Sequence, residues 1–198
     1  MRYTALLLDV GARTNLVGTL DPERLLDEIV LDSVHLAEVL PEPPGVLLDV
    51  GSGAGLPGLP VLLARPDWRA VLLEPRRRRV DFLRHAVDSL GLRERAQVVE
   101  ARLDDALAAD LLDVPFDAVA AKAVFPPPQW AERARDLVRT GGRAAFFLQG
   151  GEADPLPDLG DRADHWAQGP LRAWRLRDGA QRRIVTLERT LPDLPESP

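Results

Sequence analysis

The stretch LLDVGSGAGLPG, residues 47–58, decides the fold of this chain. A short apolar run meets a glycine-rich turn here, a pattern typical of a buried parallel strand followed by a ligand-binding loop. Glycines 53, 55 and 58 fit the G-x-G-x-x-G of a dinucleotide site, whereas glycines 51, 53 and 55 fit the G-x-G-x-G of an S-adenosylmethionine site. The spacing therefore leaves two ligands open.

Strand and helix patterns alternate on both sides of this loop. The sequence predicts strands over residues 46–50, 70–74, 96–100, 116–121 and 143–148, and helices over residues 21–40, 57–65, 77–90, 104–109 and 128–138. Such alternation indicates a mostly parallel sheet with helices on both faces. Apolar runs over residues 171–176 and 183–187 flank Asp178-Gly179 and predict a closing hairpin, after an irregular stretch over residues 150–170.

We therefore expect an α/β fold, a doubly wound, Rossmann-like class I methyltransferase domain with a seven-stranded sheet that ends in an antiparallel hairpin. The predicted divisions are a short N-terminal helical extension over residues 1–44, the methyltransferase domain over residues 45–190 and a disordered tail over residues 191–198. A terminal hairpin fits this form better than a dehydrogenase.

The composition excludes several classes of site. The chain has no cysteine, which removes disulfides, Cys-ligated zinc and a cysteine nucleophile. His35, His85 and His165 are too scattered for a ligand pair at helical spacing, so we expect no metal. A net charge of −6 argues against a uniformly basic nucleic-acid surface but permits a local basic patch.

Neither a membrane span nor a secretory signal is evident. The longest apolar run, residues 46–64, is interrupted by Asp49 and by several Gly and Pro residues. The N-terminal apolar run is broken by Asp9 and lacks a small-residue cleavage site. We therefore expect a cytoplasmic protein.

Glu74 follows the second predicted strand, 21 residues after Gly53. At that place a carboxylate accepts hydrogen bonds from ribose hydroxyls in either type of site. A dehydrogenase would also need a substrate-binding extension and a polarising acid or base, and no such His-Asp or Tyr-Lys pair is evident. Methyl transfer asks mainly that a nucleophile be held in line with an activated methyl group.

Longer motifs carry a family resemblance. The segment DVGSGAGLPGLPVLLARPDWRAVLLEPRRRRVDFLRHAVDSLGL, with ARLDDAL and FDAVAAKAV after it, resembles the bacterial small-subunit ribosomal RNA guanine-N7 methyltransferases, the glucose-inhibited division protein B family. TNLVGTLDPERLLDEIVLDS, upstream, is similar to that family's Asn-Leu-Thr and Leu-Asp-Ser segments. The L-P-G-x-P continuation and F-L-R are much more specific than the glycines.

The resemblance implies S-adenosylmethionine as cofactor and a guanine N7 of 16S ribosomal RNA, free or in an assembling 30S subunit, as acceptor. Gly51 and Leu56 would line the pocket, Glu74 would hold the ribose, and Leu103 and Asp104 would meet the adenine. The expected cofactor residues are Asp49, Gly51, Ser52, Gly53, Gly55, Leu56, Glu74, Leu103, Asp104 and Lys122. For RNA we expect Asn15, Asp32, Arg78, Arg79, Gln149 and Arg182, with Lys122 positioning the substrate.

The residues agree with this chemistry. Guanine N7 has a lone pair and no proton, so no general base is required. Without cysteine, C5-pyrimidine methylation is excluded. Amino-group methylation uses an Asp/Asn-Pro-Pro-aromatic turn, and the corresponding stretch VFPPPQ, residues 124–129, lacks its polar member.

The chain also departs from the family. Lys122, the only lysine among 25 basic residues, stands where the family has an arginine, Gln149 where it has a lysine, and Ile29 where it has a histidine. The family's leading helices are expected to be shortened before Asn15. Three alternatives stay open: a methyltransferase with another substrate, a ribosome-associated binding protein without turnover, and a nicotinamide-dependent oxidoreductase. We expect a monomer.

Two other features have two interpretations. The run Arg76–Arg79 opens a predicted helix, where cations oppose the macrodipole, so it is either a solvated face with acidic neighbours or a phosphate patch for RNA. Trp130, Trp166 and Trp174 are more often core or lid residues than platforms for base stacking.

Overall fold

The computed structural model describes residues 2–14, 16, 18–152, 155 and 165–190. Within these residues, seven strands form one sheet in the order β3-β2-β1-β4-β5-β7-β6. The strands are β1 (Gly45–Val50), β2 (Trp68–Leu73), β3 (Ala96–Val99), β4 (Phe116–Ala120), β5 (Val138–Gln149), β6 (Trp166–Arg175) and β7 (Gln181–Arg189). Strands β1 to β5 pair in parallel, and β7 pairs antiparallel with both β5 and β6.

Helices cover both faces of the sheet. They are α1 (Arg2–Thr14), α2 (Pro22–Leu25), α3 (Leu31–Val39), α4 (Gly58–Ala64), α5 (Arg77–Leu90), α6 (Leu103–Ala108) and α7 (Pro127–Arg135). One core contains buried residues of α1, α3, α4 and α5, and the other those of α6 and α7. Because Leu47 and Leu48 of β1 alternate between the two cores, this central strand is apolar on both faces.

The helices before β1 lie on one face of the sheet. Asp21 caps α2 by accepting a hydrogen bond from the Arg24 N–H at 2.8 Å, with Pro22 at the first helical position. A π-helical segment, Leu26–Val30, connects α2 to α3. Such segments are rare and frequently lie near functional sites.

The predicted fold class is confirmed, and several boundaries are corrected. The predicted fifth strand is longer because it starts at Val138, not at Arg143. Helix α7 ends earlier for the same reason, at Arg135 rather than Val138. Residues 166–170 were expected to be irregular but belong to β6. The predicted disordered tail, residues 191–198, lies outside the described residues, and the domain division stays a prediction.

Candidate functional site

A cleft lies at the carboxyl ends of the parallel strands. Strand β1 pairs with β2 on one side and with β4 on the other, so the chain reverses its direction across the sheet at β1. Doubly wound folds bind ligands outside such a switch point. The cleft has a volume of about 560 Å³ and is lined by residues that follow the strands, among them Gly51, Glu74, Leu103, Asp104 and Lys122.

The glycine loop takes a shape that other residues adopt at a cost. Gly51, Gly53 and Gly55 have φ angles of 72°, 57° and 90°. These left-handed values favour glycine. A Cβ on Gly51 would lie only 2.7 Å from a methyl carbon of Val124, across the cleft. The loop is therefore closely fitted to the backbone after β4.

Buried polar groups of Asp49 and Ser52 hold this loop through hydrogen bonds. Asp49 is fully buried, and its Oδ2 accepts a hydrogen bond from the Gly58 N–H at 2.9 Å. Its Oδ1 has no hydrogen-bond partner among the described residues. Burial raises the pKa of Asp49 to about 7, although the hydrogen bond from Gly58 opposes that rise. The Ser52 hydroxyl donates to the Asp49 carbonyl at 2.8 Å.

Helix α1 also contacts the loop. The hydroxyl of Tyr3 donates to the Ala54 carbonyl at 2.7 Å, and Tyr3 is 4% exposed. Burial raises the pKa of Tyr3 well above its usual value, and the charge of Asp49 adds to that rise. Tyr3 therefore remains a neutral donor, which ties the N-terminal helix to the predicted cofactor loop.

Glu74 bridges the loop and the start of α5. Its Oε2 accepts from the Gly53 N–H and its Oε1 from the Arg76 N–H, both at 2.9 Å. Arg79 places a guanidinium nitrogen 3.9 Å from Oε2. Because each carboxylate oxygen can accept a second hydrogen bond, these contacts leave capacity for ribose hydroxyls.

The opposite wall of the cleft consists of α6, α7 and the loop before α7. Asp104 forms an ion pair with Arg133 of α7. The Arg133 guanidinium lies 5.0 Å from the centroid of the Phe125 ring, and Phe125 stacks on Trp130 at 5.9 Å with an interplanar angle of 2°. Phe125 and Arg133 are not among the residues predicted from the sequence, because only tertiary packing brings them to Asp104.

A second cavity adjoins the cleft at Lys122. It has a volume of about 190 Å³, and Lys122 and Ala123 line both spaces. Its wall includes three of the residues predicted to contact RNA, namely Asp32, Gln149 and Arg182. The structure thus brings together residues from α3, β5 and β7 that lie far apart in the sequence.

Lys122 and Asp32 form an ion pair, with Lys122 Nζ 3.0 Å from Asp32 Oδ2. Lys122 Nζ also lies 5.6 Å from the centroid of the Phe147 ring. Burial raises the pKa of Asp32, and the charge of Lys122 opposes that rise. The next residue, Ala123, has a φ of 58°, a left-handed conformation that costs a residue with a Cβ on the order of 1 kcal/mol. Strain of this kind is typical of functional sites.

Most of the other residues predicted to bind cofactor or RNA do not line the cleft or the second cavity. Asp49, Ser52, Gly53, Gly55 and Leu56 shape the loop without lining the cleft, and Arg78 is exposed on α5 outside the lining of either space. Asn15 lies outside the described residues.

In the run Arg76–Arg79, one residue fits a solvated face and two fit a phosphate patch. Arg77 pairs with Glu100 at 2.8 Å and with Asp81 at 3.3 Å, as on a solvated face. Arg76 and Arg79 instead line the cleft.

Two of the tryptophans Trp130, Trp166 and Trp174 are core residues, and the third lines the second cavity. Trp130 is buried and donates from Nε1 to the Ala145 carbonyl at 2.9 Å, and Trp166 is also buried, so both are core residues. Trp174 lines the second cavity, with its ring centroid 4.5 Å from that of His35.

The cleft is basic although the chain is acidic. Its lining contains five cationic side chains, Arg76, Arg79, Arg102, Lys122 and Arg133, against the two carboxylates of Glu74 and Asp104. The formal net charge of the whole chain is −6. A local field of this sign attracts phosphate groups.

None of the described helices has the length and apolar character needed to cross a bilayer. The described residues contain no metal-binding group of His, Cys, Asp or Glu.

Comparison with known sequences gives one family. The sequence model of the GidB family, described as rRNA small subunit methyltransferase G, matches residues 1–154. The protein named ribosomal RNA small subunit methyltransferase G from Rubrobacter xylanophilus is 38% identical over 195 residues, which cover 93% of this chain and 73% of that protein. Proteins of the same name from Frankia alni and Kineococcus radiotolerans are 48% and 36% identical over 53% and 80% of the chain. The chain covers 40% and 61% of their lengths, less than two thirds of each.

Solved structures share the fold at low sequence identity. An O-methyltransferase from Bacillus cereus in complex with SAH has a TM-score of 0.62 and 16% identity, over 96% of this chain and 91% of that one. The P. horikoshii TYW2 structure, in complex with MeSAdo, has a TM-score of 0.57 and 15% identity, over 81% of this chain and 62% of that one.

Proposed function

This chain belongs to the rRNA small subunit methyltransferase G family, as the sequence resemblance predicted, and on that premise we propose that it transfers a methyl group from S-adenosylmethionine to N7 of a guanine in 16S ribosomal RNA. The observation that carries the proposal is the placement of Lys122 between a cleft at the switch point of the sheet and a second cavity that Asp32, Gln149 and Arg182 line. We assign the cleft to the cofactor and the cavity to the acceptor base.

The cleft fits S-adenosylmethionine in shape and in chemistry. The left-handed Gly51 lines the cleft without a side chain, so a ligand there would approach the loop backbone closely. Glu74 presents a buried carboxylate for the ribose, and Leu103 and Asp104 line the far end for the adenine. When bound, S-adenosylmethionine supplies a methyl group already activated on a sulfonium ion.

Positioning is then the main task of the protein. Guanine N7 carries no proton, so no residue has to act as a general base. The chain must exclude water and hold the acceptor in line, which in favourable systems accounts for roughly 7–11 kcal/mol of a barrier. Lys122, held by Asp32 at 3.0 Å, is the cation we assign to substrate positioning at the junction of the two spaces.

The basic lining supports RNA as the substrate. Five cations around the cleft would attract the phosphate backbone, whereas the acidic remainder of the chain would not. We propose that the protein acts in the cytoplasm as a monomer, on small-subunit RNA or on an assembling 30S particle.

Calorimetry tests the cofactor assignment. We expect S-adenosylmethionine and S-adenosylhomocysteine to bind and NAD not to bind. Binding of NAD alone would favour an oxidoreductase and overturn the proposal.

Mapping of 7-methylguanosine tests the acceptor. We expect one modified guanine in 16S RNA to lose its methyl group in cells that lack the gene. Complementation with the wild-type gene should restore it, and a variant of exposed Asp67, D67N, should do so equally well. An unchanged map would contradict the proposal.

A further inference from the structure

Asp32 leaves a buried acceptor without a partner at the second cavity. The residue is 6% exposed, and Lys122 contacts only its Oδ2. Oδ1 has no hydrogen-bond partner in the part of the chain that the structure describes. An unpaired buried acceptor is destabilising, and more so when the group is charged. A ligand that donates to this carboxylate would offset that cost.

An unpaired donor lies in the same wall. The indole N–H of Trp174 is buried and has no acceptor among the described residues, and Trp174 lines the cavity together with Asp32. The ring of Phe147 also belongs to the lining. The cavity thus combines a carboxylate with two aromatic side chains, types of group with which proteins bind an extruded base.

We propose that Asp32 selects guanine by accepting hydrogen bonds from its N1–H and its N2 amino group; this rests on the proposed function. Adenine presents the opposite pattern, because its N1 is an acceptor and its N6 amino group is a donor. Adenine would therefore set the lone pair of its N1 against the carboxylate.

The geometry of guanine agrees with this assignment. Its N1–H and N2 amino group lie on the edge opposite N7, so recognition of that edge leaves N7 free to accept the methyl group. The last torsion of an Asp side chain is broad, which allows either carboxylate oxygen to turn to the cavity. Lys122, 3.0 Å away, favours the ionised carboxylate, which only accepts hydrogen bonds. The π-helical segment Leu26–Val30 ends two residues before Asp32, the second residue of α3.

Nucleotide binding tests the proposal without depending on turnover. Three probes, GMP, IMP and AMP, are titrated by NMR into the full chain saturated with S-adenosylhomocysteine. IMP lacks only the N2 amino group of GMP. We expect GMP to bind about tenfold or more tightly than AMP, with IMP between them, because hydrogen bonds to a charged group are involved. Equal affinities for GMP and AMP would overturn the proposal.

A matched pair of variants assigns the selectivity to Asp32. D32N should weaken GMP binding about tenfold and change AMP binding less than twofold. D67N alters an exposed carboxylate that lines neither the cleft nor the cavity and should leave both affinities unchanged. An equal loss for GMP and AMP in D32N would indicate a structural role and overturn the proposal. If D32N does not fold, the three probes on the wild-type chain decide alone.

The outcomes separate this inference from the proposed function. A chain that binds S-adenosylhomocysteine and methylates 16S RNA, yet does not prefer GMP, retains the proposed function and refutes the role of Asp32. A chain that fails to bind S-adenosylhomocysteine refutes the proposed function itself.

Discussion

Asp49 gives a stability prediction whose sign and size follow from its burial. The carboxyl group is fully buried beneath the glycine loop, and its pKa is raised from 3.8 to about 7. Between these values the native state binds a proton that the unfolded state does not bind. The free energy of unfolding therefore falls as the pH rises through this range, by about 1.4 kcal/mol for each pH unit. Above pH 7 the loss is complete.

The variant D49N removes this titration. An asparagine is neutral at every pH and has nearly the same shape, and its amide oxygen can accept the hydrogen bond from Gly58. We expect D49N to gain about 3 kcal/mol relative to the wild type between pH 4.5 and pH 8. This difference cancels the titration of every other group that both proteins share.

Urea unfolding followed by circular dichroism at pH 4.5, 6 and 8 measures the difference. D67N, which alters an exposed carboxylate, serves as the control and should show no comparable change with pH. If the stability difference between D49N and the wild type stays constant from pH 4.5 to pH 8, Asp49 is not held protonated and the argument from burial is refuted.

Four further variants test single parts of the site. K122A should lower kcat/KM about 10- to 100-fold and change the Kd for S-adenosylhomocysteine less than threefold, because Asp32 holds the Lys122 ammonium group at the second cavity although Lys122 lines both spaces; equal losses would contradict this placement. E74A should weaken S-adenosylhomocysteine binding at least tenfold in calorimetry, since it removes the ribose acceptor and the support of the Gly53 N–H. G53R should weaken the same binding, because Gly53 has a φ of 57°, which a residue with a side chain adopts only at a cost, and because arginine would fill the turn; unchanged affinity would refute this account of the loop. Y3F should lower the free energy of unfolding by about 1–3 kcal/mol in urea titrations, because the buried Ala54 carbonyl loses its donor; no change would show that the bond contributes nothing.

Local patterns were sufficient to predict the fold because each strand meets a turn or helix signal nearby. Helix α5 matches its prediction at both ends, where Pro75 precedes it and Gly91, with a φ of 71°, follows it. Strand β5 did not match. The sequence predicts a strand that begins at Arg143, yet β5 begins at Val138 and continues through Gly141 and Gly142, and a Cβ on Gly142 would lie 2.8 Å from the Asp117 carbonyl. Close backbone approach explains the glycine there, and no local pattern shows it.

The site residues were predictable only where they follow predicted strands that lie next to each other in the sheet. Gly51 and Glu74 directly follow adjacent strands, so their spacing in the sequence was informative. The sequence did not indicate that Arg102 and Arg133 contribute positive charge to the cleft, because the packing of α6 against α7 brings them there. The same holds for the left-handed Ala123, which nothing in its sequence context indicates. Local sequence patterns do not predict contacts between residues that are far apart in the chain.

The central claim is that this chain methylates guanine N7 in 16S RNA, and nucleoside mass spectrometry tests it most directly. The purified chain is incubated with methyl-labelled S-adenosylmethionine and small ribosomal subunits from cells that lack the gene, and the RNA is then digested to nucleosides. The account predicts about one labelled 7-methylguanosine per subunit with the wild-type chain and a much lower yield with K122A. Label in any other nucleoside, or no label from a chain that binds the cofactor, would contradict it.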